Sequence, residues 1–207
     1  MYQLIKELNQ MSKILLALVL AASVLTASVA QADESTSVSG TFDVKDKQQS
    51  PANHDVFGLN VAHDFGNTWS VEGRMEDERV VGNAGSHEGL IQLKVNKDIG
   101  TWFGVTPYAG IAVGEKSKST TNFMYYVGEV GAKYVVTPSL TLNVQERLRT
   151  PFNENFDGHT GYNYKTWETQ IGAKYAINKN NIVGVKYAVE RGDSTYNTTG
   201  VSYTYKF

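Results

Sequence analysis

The chain has 207 residues with 19 basic and 21 acidic side chains, a formal net charge of −2. That balance leaves no basic footprint for nucleic acid, and the length suits one domain after any processing. Cysteine is absent, which removes disulfides, thiolate metal sites and cysteine nucleophiles.

The first element is a leader. Lys13 precedes the apolar run 14–22, and small residues follow down to Ala30-Gln31-Ala32. A charged start, a short apolar stretch and an Ala-x-Ala site predict a cleaved signal peptide over 1–32, cut after Ala32. The apolar run is too short for a spanning helix. Met11 begins a more typical leader than Met1, so Met11 is the expected start. No cysteine follows the cut, which excludes a lipid anchor, and residues 33–207 form the expected mature domain.

Within 33–207, ten segments alternate polar and apolar residues with period two. They run over 35–44, 55–64, 68–77, 88–96, 102–113, 123–134, 140–149, 164–175, 182–191 and 198–207. Each is long enough for a tilted crossing of a bilayer, whereas no later segment matches a spanning helix. Lipid tolerates no unpaired sheet edge, so strands that cross it must close into a barrel. The connections 65–68, 97–101, 135–139 and 176–181 are short. Those at 45–54, 78–87, 114–122, 150–163 and 192–197 tend to be longer and polar. This alternation predicts short periplasmic turns and long outer loops. The expected fold is all-β, a single up-and-down antiparallel transmembrane β-barrel of ten strands with both termini periplasmic. Eight strands would demote two good segments to loops. Twelve would need strands inside 150–163, which is rich in Asn and Gly.

Aromatic residues give a second reading of the same topology. Trp69, Trp102, Tyr134, Tyr175 and Phe207 lie beside the short turns or at the chain end, as one interfacial girdle requires. Phe57, Phe123, Tyr126 and Trp167 lie beside the long connections and are expected in the other girdle. With the apolar row of each strand turned to lipid, the inner rows carry the charges. The expected lumen-lining residues are Asp43, Glu72, Arg74, Glu76, Lys94, Glu129, Lys133, Arg147, Arg149, Glu168, Lys174, Lys186, Glu190 and Lys206. Thr41, Asn60, Gln92, Asn143, Gln145 and Gln170 fall on the same rows. Strand direction predicts an acidic-and-arginine layer near the outer mouth (Asp43, Glu76, Glu168 and Glu190 with Arg147 and Arg149). A lysine-lined lower half, with Lys94, Lys133, Lys174 and Lys206, is expected beneath it. Glu146 falls outward between Val144 and Leu148, which suggests a bulge or a position near the headgroups. Pro107 leaves the parity of 102–113 open.

The chain ends on Gly200-Val-Ser-Tyr-Thr-Tyr-Lys-Phe207, in which Val201, Tyr203, Tyr205 and Phe207 share one face. Gly200, Tyr203, Tyr205 and the terminal Phe207 resemble the carboxy-terminal signal by which bacterial outer-membrane barrels are recognised for assembly. Together with the leader, the glycine-rich strands and the segment 106–114, this terminus is similar to the superfamily of small bacterial outer-membrane barrels. The inner ladder of Arg and Lys with Asn and Tyr is also loosely similar to the monomeric porins specific for acidic oligosaccharides. Those porins are generally built from twelve strands, against ten here. The resemblance implies a monomer whose partners are outer-membrane lipid and the barrel-assembly machinery.

Two functions follow from such an interior. Fixed charges can leave a thin aqueous path for small anions or oligosaccharides, as rings of charge do in pores. The same charges can instead pair across a narrow barrel and plug it, since about eight strands are just filled by side chains. A closed barrel would then act structurally or as an adhesin through its outer loops. The enzyme alternative, an outer-membrane hydrolase or acyltransferase, needs a His with a carboxylate at the outer mouth. His54, His63, His87 and His159 are read as solvated or outward-facing, so no catalytic residue, cofactor or metal ligand is expected. The loop 150–163 reads as an ordinary solvated loop.

Overall fold

The computed structural model describes residues 34–48, 53–66, 68–81, 87–117, 122–152, 165–192 and 194–207. The expected leader, His159 and most of the loop 150–163 lie outside the described residues. Ten strands are present: β1 (Ser35–Lys47), β2 (Asn53–Asp64), β3 (Trp69–Val80), β4 (His87–Asp98), β5 (Val105–Ser117), β6 (Asn122–Thr137), β7 (Leu140–Pro151), β8 (Thr166–Ala176), β9 (Asn181–Arg191) and β10 (Thr195–Lys206). Each pairs antiparallel with its chain neighbours, and β1 pairs with β10 to close the barrel. The closing seam runs from Ser37↔Lys206 to Lys47↔Tyr196. Every strand therefore has two neighbours, and the ladder offers no open edge. No helix among the described residues is long and apolar enough to cross a membrane.

Strands extend further at the long-loop end than the sequence pattern suggests. β1 continues to Lys47, β3 to Val80 and β5 to Ser117. Their last residues are charged on both rows and read as loop, yet the backbone ladder continues beneath them. At the other end β5 begins later than expected, at Val105. Trp102 makes an isolated bridge to Val105 around Phe103 and Gly104, both at positive φ (51° and 80°). Pro107 remains inside the strand, opposite Ala132, and its carbonyl accepts a hydrogen bond from the Ile99 N–H at 2.8 Å. The one register shift among the pairings is between Val135 and Thr137, beside the turn into β7.

The outer wall is apolar. Val183, Val185 and Tyr187 stand out from β9, and Val201, Tyr203 and Tyr205 from β10. Trp69, Trp102, Tyr134, Tyr175 and Phe207 are all exposed at the short-turn end, while Phe57, Tyr126 and Trp167 are exposed toward the long-loop end. Phe123 departs from this belt. It is 3 % exposed, because it shares the inward row of β6 with Tyr125 and Val127. Both rows of β6 are apolar there, so hydrophobicity alone could not assign the side.

A wall that faces lipid penalises charge where a water-exposed wall would not. Ile111 is 72 % exposed on the outer face of β5. Ile111→Arg is expected to destabilise the folded barrel in lipid vesicles by about 2–4 kcal/mol. Urea titration followed by heat-modified gel mobility measures this, and no change would argue against a lipid-facing wall.

Candidate functional site

The inner face is identified by contacts that skip a strand, for which only the concave side of a barrel has room. Lys186 Nζ on β9 donates to Asp43 Oδ2 on β1 at 2.6 Å. Lys45 on β1 lies 3.5 Å from both Glu78 on β3 and Glu190 on β9. The Tyr125 hydroxyl on β6 donates to Gln92 on β4 at 3.3 Å, and Tyr108 on β5 donates to Gln145 on β7 at 3.1 Å. Lys94 on β4 donates to Glu129 on β6 at 3.3 Å, and Lys133 on β6 to Asp98 on β4 at 2.8 Å.

The interior divides into two halves. Toward the long loops it is filled. Leu90, Ala112, Phe123, Tyr125 and Val127 form a buried apolar cluster in which Tyr125 has no exposed surface. Around it lies a charged layer of paired groups. Arg147 donates to Glu168 at 2.8 Å, Arg74 to Glu76, and the Arg149 guanidinium sits 5.3 Å from the centre of the Tyr125 ring. Lys116 bridges Glu78 at 3.4 Å and Glu88 at 2.7 Å. Asp43, Arg147, Arg149 and Glu190 are all buried.

Glycine makes this filling possible. A Cβ at Gly114 would lie 2.5 Å from the Tyr125 hydroxyl, and one at Gly131 would lie 2.5 Å from the Tyr108 ring and hydroxyl. Each tyrosine thus lies across a neighbouring strand where any other residue would block it. Gly200 serves Asp43 in the same way, since a Cβ there would collide with the Asp43 carboxylate and the Lys186 chain. Tyr203, Tyr205 and Phe207 stand on the opposite, outer face.

Toward the short turns the interior is polar and wetter. Lys133 and Asp98 are 45 % and 31 % exposed although both point inward. Ser39 and Thr204 share a hydrogen bond at 2.8 Å, and Lys206 is half-buried nearby. Lys94 sits 3.4 Å from Glu72 as well as reaching Glu129. The expected lysine-lined half is therefore corrected to a mixed one, because Glu72, Glu129 and Asp98 interleave with Lys94 and Lys133. Lys186, expected on the inner row without an assigned height, reaches Asp43 at 2.6 Å. Lys174 differs from the others: it is exposed, and no carboxylate among the described residues lies within ion-pair distance of it. Together these residues line a cup open at the short-turn end and floored by the filled half.

Lys45, His54, Glu78 and Lys116 belong to the charged layer but fall in segments read from sequence as loop, while Glu88 opens an expected strand. Polar/apolar alternation stops at Val44, Asp77 and Val113, so it gave no signal for these residues. Two histidines are also not solvated loop residues. His54 Nδ1 is hydrogen-bonded to Glu78 at 2.8 Å, on a carboxylate that also serves Lys45 and Lys116. His63 is 3 % exposed, bonded to Thr36 at 2.9 Å and 3.8 Å from Glu34, on the outer face near the seam. No group of three metal-ligating side chains able to hold an ion occurs among the described residues.

No family profile and no curated protein sequence matches the chain. Solved structures do. An outer-membrane channel from Pseudomonas putida F1 aligns over 87 % of this chain and 100 % of its own, at 9 % identity and a TM-score of 0.57. The β domain of the Bordetella autotransporter BrkA aligns over 84 % of this chain and 99 % of its own, at 8 % identity and a TM-score of 0.51. The KdgM porin, solved with disordered oligogalacturonate, aligns over 81 % and 98 % at 12 % identity and a TM-score of 0.42. At such identities the likeness is one of fold, the fold of outer-membrane β-barrels.

The layer predicts unequal costs for two inward lysines. Lys45→Met leaves Glu190 without its ion-pair partner and takes from Glu78 one of three, and is expected to cost about 3–5 kcal/mol. Lys174→Met removes no close partner and should fall within about 0.5 kcal/mol of the parent chain. Urea midpoints of the two variants in the same vesicles test the contrast.

Proposed function

We propose that this barrel resides in a bacterial outer membrane with its short turns and both termini in the periplasm, and that its interior is a closed plug rather than a standing channel. The observation that carries the reading is Tyr125, wholly buried in the filled half among Leu90, Ala112, Phe123 and Val127, with its hydroxyl on Gln92 and Arg149 against its ring. Ten strands lie near the filled end of the range of barrel sizes. The ion pairs of the filled half join side chains of one strand, of neighbouring strands or of next-but-one strands along the inner wall. Solute passage would require several of these pairs to separate at once, each leaving buried charge without a partner. Function then rests with the barrel as a membrane-embedded scaffold and with the surfaces at its two ends. Outer-membrane lipid and the assembly machinery that reads its last strand are its partners in that role.

A second reading, a narrow path for small anions or oligosaccharides, draws on one observation. Lys174 is an inward, solvated cation without a close acid, in the cup that also holds Lys133 and Lys206. Single-channel recording of the refolded residues 33–207 in a planar bilayer decides between the two. We expect no discrete openings from a barrel shown to be folded by its heat-modifiable mobility. Removing the plug with Tyr125→Gly is expected to produce them. Openings in the parent chain, with an anion preference reduced by Lys133→Glu and Lys174→Glu, would overturn the closed reading in favour of the pore.

A further inference from the structure

The outer wall is grooved. An apolar furrow of about 660 Å³ crosses it from β5 to β9, and the register shows its course. One bank runs through successive partners from Val105 on β5 to Val185 on β9, the other from Ala132 on β6 to Tyr187 on β9. Asn143, Gly172 and Lys186 lie between the banks. They belong to the inner row, so only their backbone floors the groove. Ala132 and Ala173 carry no more than a methyl on the banks and keep it open.

The groove climbs. Val105 is the first residue of β5, at the short-turn end, whereas Tyr187 is six residues beyond Asn181, the first of β9. Ile171, the partner of Tyr187, is four residues from Tyr175 at the short-turn aromatic level. At the rise of a tilted strand that is about 10 Å, close to half the apolar band of about 25 Å that such barrels present. The groove therefore spans the depth of one leaflet, on the short-turn side.

Its shape selects the occupant. The banks are two residues apart along each strand, or about 7 Å, and a helix about 10–12 Å across is too wide to enter. An extended peptide would bring backbone groups that neither the closed ladder nor hydrocarbon can satisfy. A hydrocarbon chain brings none, and its flexibility lets it follow the slant. At the lower end Val105 exchanges both backbone hydrogen bonds with Trp102 at 2.9 Å. Trp102, Phe103 and Tyr134 are exposed there, and aromatic rings of this kind sit at the headgroup level. We propose that the groove holds one acyl chain of a phospholipid from the short-turn leaflet, with its ester and headgroup end beside Trp102 and Tyr134. The site gives membrane lipid a defined place on the wall, and it rests on the barrel lying in a bilayer, as proposed above.

Dioleoylphosphatidylcholine serves as the probe. Residues 33–207 are refolded into vesicles of that lipid, extracted in mild detergent and weighed by native mass spectrometry. One phospholipid per barrel is expected to survive extraction. Ala173→Phe and Ala132→Phe fill the groove, and each should lower the retained fraction about tenfold. Gly73→Phe adds bulk to the outer face of β3, where a Cβ would meet nothing within 4 Å, and should keep the lipid. Heat-modified mobility reports folding and insertion of every variant. Failure to insert would overturn the membrane reading itself. An inserted barrel that carries no lipid, groove variants that carry it as the parent does, equal loss from Gly73→Phe, or a second barrel retained in its place would each overturn the acyl site.

Discussion

Hydrocarbon offers a peptide group nothing to bond to, and from that constraint the rest of the molecule follows. The ladder must close on itself, and β1 and β10 close it. Closure by adjacent antiparallel strands brings both chain ends to one side of the barrel and gives every strand an inner and an outer row. The outer row is fixed as apolar by what surrounds it. The inner row is then free to be polar, and its identity is decided by how much room ten strands leave.

That room is small, and the two halves use it differently. Near the long loops, tyrosines laid over glycines pack beside a layer of ion pairs that link neighbouring and next-but-one strands. Asp43, Arg147 and Glu190 there each have an opposite charge within reach, and Arg149 lies against the Tyr125 ring, the condition under which charge is tolerated away from water. Near the short turns the side chains are shorter, with Ser39, Thr204 and Asn143 among them, and lysines reach into water. An interior filled at one end and wet at the other is more informative than the count of its charges, which was nearly balanced from the outset.

Much of this was legible in the residues, and the failures have physical causes. Alternation located all ten strands because each has one face in contact with lipid, and a period of two survives most substitutions. It failed where both rows share a polarity. At the ends of β1, β3 and β5 both rows are polar, so Lys45, Glu78 and Lys116 read as loop although they face one another inside. At the start of β6 both rows are apolar, so Phe123 was placed on the wrong side. The Trp102–Val105 bridge was hidden because it depends on positive φ at a phenylalanine, which composition does not announce. Pairing partners across skipped strands, such as Lys186 with Asp43, depend on the height and curvature of the wall, which no single segment encodes.

The seam has a kinetic side. The hydroxyls of Ser39 and Thr204, joined across it, are 165 residues apart in the chain. No part of that pairing can form until the final strand has been made and delivered, so the first strand must wait with its backbone unsatisfied while the remainder of the polypeptide arrives. Contacts of such separation make folding slow. The waiting edge is the kind of surface that recruits foreign strands. For a chain built this way, the time that edge stays open bears on the yield of folded barrel alongside its final stability.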